Sequence, residues 1–151
     1  MIRAVVAVGA VLVGISAVMA QQDIAKQQDD LMRSMAKPQY GVLLKMSRGQ
    51  IPYDQAAVDA ALAQLEQGVA KIATTFQPNP KMSLPNAEYI AKDTLWDNKA
   101  DFDSKIPAVT KAIGDQKGKV KDVESLKAAY KAIEDQCDVC HDKYRIHLKK
   151  Q

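Results

Sequence analysis

From Asp54 to Phe76, apolar side chains recur every third or fourth residue: Val58, Ala61, Leu62, Leu65, Val69, Ile72 and Phe76. A strand would scatter such a series over both faces, whereas a helix gathers it on one, so this window buries its apolar surface only as an amphipathic helix. Asp54 can cap the first free amides, and Pro78 and Pro80 stop the segment. A second stripe opens near Asp122 and carries Leu126, Ala129, Tyr130, Ile133, Cys137, Cys140, Tyr144 and Leu148, with Arg145, Lys149 and Lys150 at its negative end. Two further stripes each contain a proline. One begins near Gln22 and passes through Ile24, Gln28, Leu31, Met32, Met35, Val42, Leu43 and Met46. Its pattern resumes in phase after Tyr40, so Pro38 should bend this helix rather than end it. The other spans residues 87–113 through Ile90, Leu95, Trp96, Phe102, Ile106, Val109 and Ile113, where Pro107 either kinks it or opens a new segment. Strand signals are nearly absent. Four amphipathic helices joined by mostly short links predict an all-α fold, an antiparallel four-helix bundle.

The N-terminal 20 residues are expected to stand outside that bundle. Arg3 supplies a positive start, Ala4 to Val18 is a small and apolar run broken only by Gly9, Gly14 and Ser16, and Val18-Met19-Ala20 carries small residues where a signal peptidase reads. Residues 1–20 therefore read as a cleaved signal peptide and 21–151 as one exported domain, with a periplasmic location. Loss of Arg3 lowers a formal charge of only +3, and aromatics make up 5% of the chain with lysines interspersed among carboxylates. That pattern argues against a nucleic-acid stripe, and no later stretch is apolar enough to span a bilayer.

The two cysteines lie three residues apart in "CDVCH" (137–141), followed at once by one of two histidines. On a helix advancing about 100° per residue, Cys137, Cys140 and His141 project from one face within a single turn. Such a turn suits covalent haem: two thiols form thioethers with two vinyl groups while the adjacent imidazole reaches the iron. A thioredoxin-like dithiol would want a βαβ setting, which is missing here. A structural zinc site needs four ligands, and only His147 remains, pointing well away from His141. A structural disulfide would leave the buried histidine unexplained. No general base, activated nucleophile or phosphate loop stands out, so the chain does not read as an enzyme.

The C-terminal "CHDKYR" (140–145) within a four-helix pattern resembles the class II c-type cytochromes: cytochrome c prime and its low-spin, methionine-ligated relatives. "RGQIPYDQAAVDAAL" (48–62), "TLWDNKADFD" (94–103) and "KGKVKDVESLKAA" (117–129) each resemble the corresponding segment of that family. The resemblance implies one haem c, His141 as proximal ligand, Tyr144 as an aromatic beside the haem, and Arg145 near its proximal face or a propionate. It also implies redox partner proteins and pairing of two copies through their first two helices.

In that family the first helix supplies either a thioether to the iron or an apolar side chain that merely covers it. Met32, within "DDLMRSM" (29–35), matches the position. A bound thioether would make a six-coordinate one-electron carrier; an unbound one would leave a five-coordinate iron open to NO or CO. As a plain core residue, Met32 would do neither. The cytochrome c prime branch usually carries arginine four residues earlier, where this chain has Gln28. Trp96 and Phe102 read as core rather than cofactor contacts, and His147 as solvent-facing.

Overall fold

The computed structural model describes the backbone from Arg3 to Leu148 and side chains from Val18 to Leu148. Most side chains of the expected leader, together with Lys149 and Lys150, lie outside the described residues. The first rod is α1 (Arg3–Ala36), a π-helical segment (Lys37–Leu44) and α2 (Lys45–Ser47), which follow one another without a break. The second is α3 (Gln55–Val69) with the short α4 (Ile72–Thr75). After a long loop come β1 (Tyr89–Ala91), α5 (Thr94–Asp97) and the third rod, α6 (Lys99–Gly114); the fourth is α7 (Val123–Tyr144), ending in β2 (Arg145–His147). The rods form the expected antiparallel four-helix bundle, with α6 against α7, and α3 against α6, α1 and the π segment.

Capping accounts for two helix starts. Asp54 accepts from the Ala57 amide at 2.8 Å, and Asp122 accepts from Ser125 at 2.7 Å while Ser125 Oγ accepts from the Asp122 amide at 3.1 Å, a reciprocal box. At Pro38 the missing amide is absorbed by widening the helix into π geometry, so the rod continues as the phase of its stripe predicts.

Five expectations need correction. The first helix does not begin near Gln22, because α1 runs from Arg3 through the junction at residue 20. The second helix is interrupted after Val69 before α4. The third begins at Thr94 rather than residue 87 and breaks at Asn98. Pro107 opens no new segment, since α6 passes through it. The last helix stops at Tyr144: Arg145 takes extended geometry (φ −112°, ψ 142°), and Arg145–His147 pairs antiparallel with Tyr89–Ala91, so strand is present after all. A three-residue ribbon carries too short an alternation to register in sequence, and its partners are more than fifty residues apart, a long-range choice that local pattern does not encode.

The main core gathers Leu43, Val58, Leu62, Ile113, Leu126 and Ile133, all at most 1% exposed. A smaller cluster holds Phe76, Leu95, Phe102 and Tyr144, and Leu31, Met32 and Ile72 touch both. Where α1 meets α3, Met35 lies directly over Gly68, so a β-carbon there would collide with Met35 Cγ and Sδ. Gly68→Ala is expected to cost about 1–3 kcal/mol by forcing Met35 aside. Gly41→Ala, where added bulk meets nothing within 4 Å, should be neutral or slightly stabilising. Thermal melts of both variants check the pair, and equal midpoints would refute the contact.

Candidate cofactor site

Between the two core clusters lies a cavity of about 850 Å³, within the roughly 300–1,000 Å³ range of small-molecule and cofactor sites. Gln28 and Met32 reach it from α1, Cys137, Cys140, His141 and Tyr144 from α7, and Arg145 from β2. All seven residues singled out from sequence therefore line one space.

Burial dictates the chemistry of the α7 turn. Neither cysteine is in a disulfide. Loss of solvent pushes the Cys137 thiol up to about 11, helped by the charges of Asp138, Cys140 and Glu134, and burial raises Cys140 likewise. The same burial, reinforced by the neighbouring Arg145 charge, lowers His141 to about 4. At neutral pH the turn thus offers two protonated thiols and a neutral imidazole, the form that ligates metal. His141 Nδ1 is buried with no hydrogen-bond partner. An orphaned imidazole nitrogen, two free thiols and an apolar cavity of this size fit a covalently held haem in a way that a closed, self-satisfied core would not.

The walls are held by polar ties. Gln28, 6% exposed, spends its amide N–H groups on the carbonyls of Thr75 (3.2 Å) and Pro78 (2.9 Å), pinning α1 to the turn after α4. Trp96, half-buried in the wall, donates its indole N–H to the Phe76 carbonyl at 3.0 Å. Phe102 meets Phe76 at 5.8 Å between ring centroids and Tyr144 edge-on at 5.5 Å. Met32 is half-buried and bridges the two clusters.

At the end of α7 the geometry departs from expectation. Arg145 leaves the helix, donating its amide N–H to the His141 carbonyl, and its guanidinium lies 4.6 Å above the Tyr89 ring. On an extended residue, helical spacing from His141 no longer sets its direction; the ribbon does. The ladder is prolonged by Lys92 donating to the Tyr144 carbonyl and Leu148 to that of Glu88, both at 2.8 Å. His147 is solvent-exposed, as read from sequence, yet it stacks on Tyr89 at 4.7 Å.

Two contributors were invisible in the sequence. Gln39, from the π segment, lines the cavity at 5% exposure. Asp101 receives the Tyr144 hydroxyl and the ammonium groups of Lys143 (2.8 Å) and Lys105 (3.2 Å). Only the i,i+4 spacing to Lys105 hinted at Asp101; its tie to α7 is tertiary.

The family model "Cytochrome C'" matches residues 23–145. Cytochrome c-555 of Bradyrhizobium diazoefficiens is 58% identical over 147 residues, covering 97% of this chain and 99% of that one. An NMR-validated structural model of oxidised cytochrome c556 from Rhodopseudomonas palustris superposes with a TM-score of 0.70 at 32% identity, over 86% of this chain and 99% of that one. A nitric oxide complex of a cytochrome c prime mutant from Alcaligenes xylosoxidans superposes with a TM-score of 0.67 at 26% identity, over 83% and 95%.

Lys143 first, then Tyr144 and Lys105, hold the Asp101 carboxyl well below its ordinary value of 3.8. A depressed carboxylate stabilises the fold fully above that ordinary value and loses the contribution as pH falls beneath it. Asp101→Asn should therefore flatten the loss of stability below about pH 4 relative to the parent. Denaturant midpoints measured down the acid range test this; parallel curves would count against the network.

Proposed function

Because the chain belongs to the cytochrome c' family, whose members carry covalently attached haem c, we propose that it is an exported monohaem cytochrome acting in one-electron transfer. One observation carries the reading: Cys137, Cys140 and His141 share a single helical turn that faces the cavity, and a nitrogen of His141 is buried there without a partner. When bound, haem supplies a one-electron iron couple.

The chain's residues divide the work of holding and shielding it. Cys137 and Cys140 would hold the group through thioether links, and neutral His141 would offer its imidazole to the iron. Met32 would offer its thioether to the iron in this reading, because it lines the same cavity from the first rod and is half-buried in contact with both clusters. Phe76, Leu95 and Phe102 keep water away, which favours the less charged state of a redox centre. Tyr144 and Arg145 bound the cavity where α7 passes into β2. Residues 1–20 act as a cleaved leader to the periplasm, supported by a family match that starts at residue 23. Among the described residues, no helix is long and apolar enough to cross a membrane.

A five-coordinate centre that binds NO is the second reading, favoured by the nitric oxide complex among the structural neighbours. Gln28 weighs on the other side: its N–H groups face the carbonyls of Thr75 and Pro78 and so are already spent.

Chain matured in a host with haem-ligation machinery should gain the mass of one haem and lose residues 1–20 by mass spectrometry. Its oxidised spectrum should show a methionine–iron charge-transfer band and its reduced form should resist CO. In Met32→Ala the band should vanish and CO should bind. Rapid CO binding by the parent with high-spin spectra would favour the second reading, and a colourless product would defeat both.

A further inference from the structure

A π-helical turn accommodates an extra residue relative to α geometry, and such segments recur at functional sites. Here the segment Lys37–Leu44 follows directly on α1, and with Pro38 it places Gln39 in the cavity wall at 5% exposure. Its side-chain Nε2 is buried and makes no hydrogen bond of normal geometry. Gln28, the other buried glutamine of this rod, spends its N–H groups on two carbonyls. Gln39 is thus a desolvated donor left over by the fold, and a buried donor without an acceptor is costly enough that native proteins seldom keep one.

A neighbouring element offering a sulfur is α7: the π segment packs against it, and Cys137 lines the same cavity from that helix. We propose that Gln39 is a positioning residue of the attachment site, donating an N–H to the sulfur of Cys137 and thereby orienting it and raising the reduction potential of the group attached there. This rests on the haem reading given above. Sulfur is a weak acceptor, so the bond orients more than it binds. The positive end of the amide dipole, aimed at a sulfur joined to the porphyrin edge, favours the electron-rich reduced state; hydrogen bonding around a centre is one of the protein's levers on its potential.

The test uses the haem-loaded protein with Gln39→Met, close in size and without a donor, and Gln39→Leu. Both should hold one haem per chain, leave CO binding as in the parent and shift the midpoint potential downward in a redox titration. In the parent, exchange into D2O should shift the sulfur-associated resonance Raman mode, and Gln39→Met should abolish that shift. The D2O measurement stands even where a variant fails to fold. An unchanged potential with haem in place, no isotope shift in the parent, or an effect confined to CO or NO affinity would overturn the assignment. A parent chain carrying no haem would instead bring down the functional reading beneath it.

Discussion

The turn of α7 from Cys137 to His141 turns two thiols and an imidazole to the cavity, and burial keeps all three neutral. Two thiols are pushed up and an imidazole is pushed down by the same loss of solvent. A site of this kind stays open only if the surrounding rods are held apart at a fixed width, since close packing would otherwise fill an 850 Å³ space with side chains. The rest of the structure can be understood as the means of keeping that space open.

Those means are mostly polar ties set outside the apolar walls. Gln28 joins α1 to the turn after α4, Trp96 joins the α5 region to Phe76, and Asp101 joins α6 to the end of α7 through Tyr144 and Lys143. The β1–β2 ribbon fastens the loop before α5 to the residues that follow α7. Each tie links elements distant in sequence, so each resists collapse of the cavity as well as its opening. Met32, in contact with both apolar clusters, sits where a small shift of the first rod would change one wall of the cavity.

The family assignment and the geometry agree on haem, yet they bear on different questions. Similarity across nearly the whole chain speaks to cofactor and fold. The partners of individual side chains describe the cavity's walls: Gln28 is spent on two carbonyls, and Gln39, brought in by a π-helical segment, is unpaired.

Much was legible in the residues alone. Periodicity marked the four rods because an amphipathic helix must repeat its apolar positions every turn, and capping marked two of their starts at Asp54 and Asp122. The shared face of Cys137, Cys140 and His141 was equally plain, since three residues at spacing three and four project together whatever surrounds them. Arg145 was read onto the helix and lies instead in a strand, because a ribbon paired across fifty residues overrode the local helix signal, yet it still lines the cavity. Asp101 and Gln39 went unseen, because their roles depend on which rod they face and on a change of helical pitch at Pro38. Local spacing determines which groups travel together on one element; only packing between elements decides which buried donor is left without an acceptor, and where a carboxylate finds its partners.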